Sequence, residues 1–400
     1  MRIRYSREKN GKAVKKAFVY TSQEHGIASF DVDRDALFII ERLQSNGFES
    51  YVVGGAVRDL ILGRKPKDFD IVSNASPSQI KKIFRNSRVI GRRFRLVHVF
   101  FGPKIFEVAT FRSIKDGHTG NTFGTIEEDV LRRDFTFNAL FYDPIGDVVV
   151  DYMGGIRDLR EKRLKPIIPL SLIFVEDPVR MIRAVKYSVA TGCKMSLVLR
   201  WKIKQQAALL AGVSPSRLTE EIGKIINSGH CAGIVNFLDE LGLYEYIQPN
   251  AVEKMRIIPS FKEDYLEGFR RLENLISEGK YEPGETMAVL IREYLNRNIQ
   301  WDQVPGEIYK EAFQIARNFV LPMNPPRIAL DNAVRIVFKE HGIVLRKGRA
   351  FERPRPKKTD NSVPPKETTE REGPKKRRRR RRQKAELGVS GGDRSKNPDA

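Results

Sequence analysis

Four hundred residues exceed one average domain, and 40% hydrophobic content is enough for packed cores. The net charge of +22 points to a polyanionic partner, either nucleic acid or an acidic membrane surface. No apolar run approaches a membrane span, and the charged opening MRIRYSREKN lacks the apolar stretch of a secretory signal. Cys193 and Cys231 are the only cysteines and the five histidines are scattered, which argues against a disulfide framework, a structural zinc site and a histidine metal centre. A reducing cytoplasm is the expected compartment.

In chain order, residues 1–30 are basic and weakly patterned and read as an N-terminal extension. Apolar positions Ala36, Leu37, Ile39, Ile40 and Leu43 predict a helix over 33–46, ended by Gly47. FESYVV (48–53) predicts a strand, Gly54-Gly55 a tight turn, and a helix follows from about Ala56. A second strand is expected at Phe69–Val72. Ser76 then caps a helix with Pro77 at its first position, running to about Phe84. RVIG, LVHVFFG and IFEVATF (105–111) read as further strands, and 114–124 as a mobile polar loop. A helix is expected over 127–140 and a strand over 147–153. Beyond about residue 170, helical periodicity dominates to about 345. The expected fold class is α+β. It comprises an α/β head (31–165), an all-helical body (166–345) and a basic tail (346–400). The tail holds twenty Lys/Arg against eight Asp/Glu, so it carries +12 of the total charge. Such a segment buries too little apolar surface to fold, and disorder is expected.

Four pieces of the head and early body carry candidate chemistry. Gly54-Gly55 lets the backbone approach a phosphate at a helix start, with Arg58 one turn in. Alone, the pair reads equally as an ordinary turn. Asp68-Phe69-Asp70 places two carboxylates on one face of a strand, hard oxygen donors suited to Mg²⁺. Alone, it is a polar strand edge. Glu107 alternates with Phe106 and Val108, and a carboxylate there is costly to bury unless paired or metal-bound. It is also readable as a solvent-facing edge residue. If its strand neighbours the Asp strand, the three carboxylates would converge on shared ions. The basic stretches GRRFR (91–95), RRDF (132–135) and EDPVRMIRA (176–184) offer arginines for phosphates or base edges. Each alone reads as a solvated face or an ion pair within a helix.

Together, GGAVRD (54–59), DFD (68–70), EVATFR (107–112), RRDFTFNAL (132–140) and EDPVRMIRA (176–184) resemble the motifs of class II nucleotidyltransferases, in that family's order. This is the group of bacterial poly(A) polymerases and tRNA CCA-adding enzymes. The resemblance covers most of 50–190. It implies metal-dependent transfer of a nucleoside monophosphate from an NTP to an RNA 3′-hydroxyl, with pyrophosphate released. By position, it implies that Asp68 and Asp70 bind two Mg²⁺ ions and that Glu107 assists deprotonation of the hydroxyl. It assigns the triphosphate to Gly54, Gly55 and Arg58, and the sugar and phosphates to Arg133, Asp134 and Asn138. Asp177, Arg180 and Arg183 would read the incoming base.

VYTSQEHGI (19–27), GRRFRLVHVFFG (91–102), NTFGTIEEDVLRRDF (121–135) and VSPSRLTEEIGKI (213–225) resemble the poly(A) polymerase branch. That branch implies ATP as substrate. The catalytic motifs do not separate it from CCA addition, and an idle RNA-binding protein built on the same head is a third reading. RNA contacts are expected from Arg92, Arg93 and Arg95 and from the tail run Lys375, Lys376, Arg377, Arg378, Arg379 and Arg380, through salt-sensitive phosphate binding.

Overall fold

The computed structural model describes residues 2–7, 13–91, 96–115, 122–282, 284–302 and 304–345. Nine strands of these residues form one mixed sheet. They are β1 (Arg2–Arg7), β2 (Ala13–Thr21), β3 (Ser50–Val53), β4 (Asp70–Ser73), β5 (Ser87–Ile90), β6 (Leu96–Phe101), β7 (Lys104–Thr110), β8 (Leu140–Asp143) and β9 (Val148–Asp151). Their order is β1-β2-β9-β8-β3-β4-β7-β6-β5. Only β4 and β7 pair in parallel; every other neighbour is antiparallel. The weakly patterned opening segment therefore supplies two edge-side strands, and β2 joins the rest through β9.

Helices of the head pack on both faces of this sheet, residues 126–131 against Val53, Val72 and Phe141 and the others against Val52, Ile71 and Leu140 on the opposite face. They are α1 (Ser22–His25), α2 (Arg34–Ser45), α3 (Gly55–Ile61), α4 (Pro77–Ile83), α5 (Ile126–Leu131) and α6 (Gly155–Arg160). The period predicted for the first long one holds: α2 buries Ala36, Ile39, Ile40 and Leu43, and Asp33 caps it by accepting from the Asp35 amide at 2.8 Å. Ser76 and Gln79 form a capping box at α4, with Pro77 in its first turn. The expected helix over 127–140 is shorter than read. It ends at Leu131, and after a 3-10 turn at Thr136–Asn138 the chain enters β8. The Asp134 carboxylate accepts from the Phe135 amide at 2.7 Å, and a side chain that binds local backbone competes with the helical ladder. Phe135 also bridges to Pro166, which turns the chain away.

The body continues with α7 (Ile173–Glu176), α8 (Val179–Thr191), α9 (Leu197–Gln206) and α10 (Pro215–Ile226), then seven further helices between Cys231 and Glu340 among the described residues. Head and body share one continuous apolar core, reaching from Ile40 and Val57 through Met181 and Ile182 to Leu290 and Val337. The α+β arrangement expected from the sequence is the one observed. No helix among the described residues is long and apolar enough to cross a membrane.

Candidate active site

The sheet register brings the acidic strands together. Val53 of β3 lies opposite Asp70, and Ile71 lies opposite Val108 of β7. Glu107 therefore stands beside Asp70 on the next strand and faces the same way. Both line a cleft of about 520 Å³ whose other side is formed by α8 and α10. Phe69 packs against the core and holds the start of β4. The Asp70 carboxylate opens to the cleft but is surrounded by protein on its other sides. This desolvation, followed by the charge of Glu107 and then of Asp68, pushes its pKa up to about 6 against the pull of Arg133.

The expected convergence of three carboxylates is not what the structure shows. Asp68 is exposed in the loop just before β4 and does not line the cleft. Glu107 Oε1 lies 3.4 Å from His98 Nε2, its partner across β6 and β7. Among the described residues, no three His, Cys, Asp or Glu side chains stand close enough to hold one ion together. The strand begins at Asp70, one residue later than read, and Asp68 precedes even the start that was read, so the pleat that aligns Asp70 with Glu107 does not include it.

Gly54 has φ +69° and ψ −131°, a backbone state that only glycine adopts without strain. A Cβ there would lie 3.9 Å from both Asp70 Oδ2 and Arg133 Nη1, so the turn runs directly beneath the charged groups. Gly55 also lines the cleft. Arg58 does not. It donates to Asp59 Oδ1 at 2.8 and 2.9 Å and to Asn138 Oδ1 at 3.0 Å, and it packs over the Tyr187 ring. Its guanidinium braces Asn138 from behind.

Arg133, Asp134 and Asn138 do come together. Arg133 donates to Asp129 Oδ2 at 2.9 and 3.2 Å and to the Asn138 carbonyl at 3.0 Å, over the Phe141 ring. Asn138 Nδ2 donates to Asp134 Oδ1 at 2.9 Å. On the body side, Asp177 is not on the helix as read. It is the extended residue between α7 and α8, because Pro178 disfavours the helical state in the residue before it. Its Oδ2 accepts from Arg217 Nη2 at 2.8 Å. Arg180 is buried and donates to the Ile173 carbonyl and Glu176. Arg183 donates twice to Glu221 Oε1, at 2.7 and 3.0 Å. Burial works against the Arg183 charge, but Glu221 outweighs it and the pKa is raised. Burial likewise opposes ionised Glu221, yet Arg183 and Lys186 prevail and lower its pKa.

The sequence reading missed Asp129, Tyr187, Arg217 and Glu221 and gave Arg112 and Arg132, inside stretches it quoted, no role of their own; all but Glu221 line the cleft. Spacing held two of the signals: Asp129 precedes Arg133 by four residues, and Arg217 precedes Glu221 by four. Burial and the Arg112 charge push the Arg132 pKa down to about 10. Six arginines thus crowd a cleft holding five carboxylates, a surface suited to an anionic ligand. Arg92, Arg93, Arg95 and the tail residues Lys375 to Arg380 lie outside the described residues.

Known proteins resemble this chain in sequence and in fold. The family described as "Poly A polymerase head domain" matches residues 50–165, and "Probable RNA and SrmB- binding site of polymerase A" matches 198–255. Poly(A) polymerase I of Escherichia coli is 41% identical over 247 residues, 58% of this chain and 53% of that protein. A CC-adding tRNA nucleotidyltransferase of Halalkalibacterium halodurans is 35% identical over 228 residues, 57% of this chain and 58% of that one. The chain spans about half the length of the curated relatives it matches. Among solved structures, the Bacillus stearothermophilus CCA-adding enzyme in complex with CTP superposes with a TM-score of 0.54 at 26% identity, covering 78% of this chain and 83% of that one. With the motif order, the mixed-sheet head and these matches agreeing, residues 50–165 are a head domain of the poly(A) polymerase family of class II nucleotidyltransferases.

Proposed function

We propose that this protein is a template-independent poly(A) polymerase, transferring AMP from ATP to RNA 3′ ends and releasing pyrophosphate. The head (31–165) carries the chemistry, and the body (166–345) holds the nucleotide and RNA. The observation that carries the reading is the Asp70–Glu107 pair, two mutually repelling carboxylates at the floor of an arginine-lined cleft. Identity to bacterial poly(A) polymerases above that to CC-adding enzymes supports the branch.

The donor set fits Mg²⁺. Asp70 would hold it on the cleft floor, and Asp68, in the exposed loop before β4, would join it only by turning toward the cleft; both are hard oxygen ligands, and a divalent cation relieves the burial and charge crowding that raise the Asp70 pKa. When bound, such ions polarise the phosphoryl group and lower the pKa of the attacking hydroxyl. The chain's own groups do the remainder. Glu107 accepts the 3′-hydroxyl proton. Gly54 and Gly55 let the triphosphate approach the backbone. Arg133, fixed by Asp129 and Asn138, faces the phosphates with no reorganisation during transfer. Asp177 and Arg183 present paired polar groups to the base edge, held by Arg217 and Glu221.

A CCA-adding activity is the second reading, favoured by the 0.54 superposition on the CCA-adding enzyme complexed with CTP. Incubation with Mg²⁺ and each NTP singly, on a generic RNA and on tRNA lacking CCA, separates the two. Long ladders with ATP alone on both RNAs are expected. Growth that stops after a defined trinucleotide on tRNA alone overturns the poly(A) reading.

A further inference from the structure

One aromatic side chain in this cleft has no role in the chemistry above. Phe123 lines the cleft with half of its surface exposed (50%), among walls otherwise dominated by arginines and carboxylates. Its position is fixed. The Ser113 amide donates to the Thr122 carbonyl at 2.7 Å and the Gly124 amide to the Phe111 carbonyl at 2.9 Å, so the chain is clamped on both sides of the ring as an antiparallel bridge to Arg112. Gly124 runs so close to Ser113 that a Cβ would meet its backbone at 2.6 Å. Beyond it, Thr125 and Glu128 form the capping box of α5, and Ser113 Oγ donates to Glu128 at 2.8 Å. A rigid frame thus presents an apolar ring to an open, charged cavity.

The location selects the ligand. Residues 111–113 continue directly from β7, the strand of Glu107, and Leu96 of β6 lines the same wall. The base-facing groups Asp177, Arg183 and Arg217 belong to the body wall. Arg132 donates to the Ser113 carbonyl at 3.3 Å and Arg112 lies across the bridge, so cationic groups suited to phosphates adjoin the ring. An aromatic face flanked by guanidinium groups is how single-stranded nucleic acid is held without reading sequence. We infer that Phe123 is the stacking platform for the 3′-terminal base of the acceptor RNA. The inference rests on the nucleotidyl-transfer reading of the cleft. Phenylalanine has no polar atom to prefer one base, so the platform accepts any terminal nucleotide.

The experiment compares wild type, Phe123→Ala and Phe123→Trp in the full chain. Equilibrium titration uses one RNA with an intact 3′-terminal base and one abasic at that position. Steady-state extension with ATP follows. Phe123→Ala is expected to weaken intact RNA about tenfold in Kd and in RNA KM, with ATP KM within twofold and Phe123→Trp restoring wild-type values. The abasic end should cost wild type the same factor and cost Phe123→Ala nothing further, a pattern that a structural defect would not produce. Equal RNA affinity for wild type and Phe123→Ala overturns the platform. So does a rise in ATP KM instead of RNA KM. If wild type extends no RNA, the polymerase reading fails, and the abasic titration still decides whether the ring stacks on a terminal base.

Discussion

The two walls of the cleft handle charge in opposite ways. On the body side each carboxylate has a cation within reach: Asp177 on the wall has Arg217, and Glu221 behind it has Arg183, Lys186 and Lys224. On the head wall Asp70 and Glu107 face one another across adjacent strands, with Arg133 already committed to Asp129. Burial alone would raise the Glu221 pKa, and it is lowered because its cationic partners win, whereas burial and like charge together raise that of Asp70. A neutralised wall is fit to hold shape and recognise a ligand. A wall left with surplus negative charge is fit to meet cations and a reacting centre.

The sharpest break of this contrast is Asp70→Ala. Extension should fall by about a thousandfold or more, with RNA affinity within twofold, measured by single-turnover extension beside RNA titration. Wild-type extension would mean that the head wall is not the reactive one. Next comes Glu221→Ala on the body wall, which strands Arg183 and Lys186 in a largely desolvated place. A loss of about 3 kcal/mol in urea unfolding is expected, with Glu221→Gln losing less. If both variants unfold like wild type, the body network is not structural.

Gly54→Ala probes the floor between the walls. At φ +69° the strain is expected to cost about 2 kcal/mol in chemical denaturation, and the backbone rather than crowding is responsible, since the new Cβ would have ordinary contacts at 3.9 Å. The smallest effect is a pH dependence. Asp70 has a folded pKa of about 6, above its unfolded value, so its ionised form opposes folding at neutral pH and ceases to do so as pH falls below about 4. In EDTA, Asp70→Asn should raise Tm at pH 8 by the equivalent of about 1 kcal/mol after allowing for solvent screening, with the gain vanishing toward pH 4. Glu221 has the opposite sign: its depressed pKa gives stability that is present above the unfolded pKa and lost as pH falls through the folded value. A Tm difference that grows on acidification would reverse the contrast.

Much of the head was legible because its signals are local. The capping box at Ser76, the buried stripe of α2 and the acidic and glycine turns each lie within a few residues. The partnership of Asp70 with Glu107 was stated only as a condition, since parallel pairing between residues 37 apart leaves no periodic trace. Asp68 was paired with Asp70 by the i, i+2 rule of a strand, but the pleat starts only at Asp70 and leaves Asp68 in the exposed loop before it. The 127–140 helix failed where Asp134 binds its own neighbours and Phe135 bridges to Pro166. Phe123 gave no signal, because its exposure is set by Arg112 and Ser113 across a chain reversal.

The pairing of β2 with β9 has a consequence for synthesis. Residues 18–21 find their inner neighbours in residues 148–151, and the second edge of β3 awaits β8. On a ribosome, an early strand with an unpaired edge must wait until Asp151 has emerged before the sheet can close. Such long-range pairing folds slowly and exposes strand edges to neighbouring nascent chains. The head, translated before the body, is therefore the slower and more aggregation-prone part to fold. The body's helices, closed mostly by contacts nearer in sequence, complete soon after they appear.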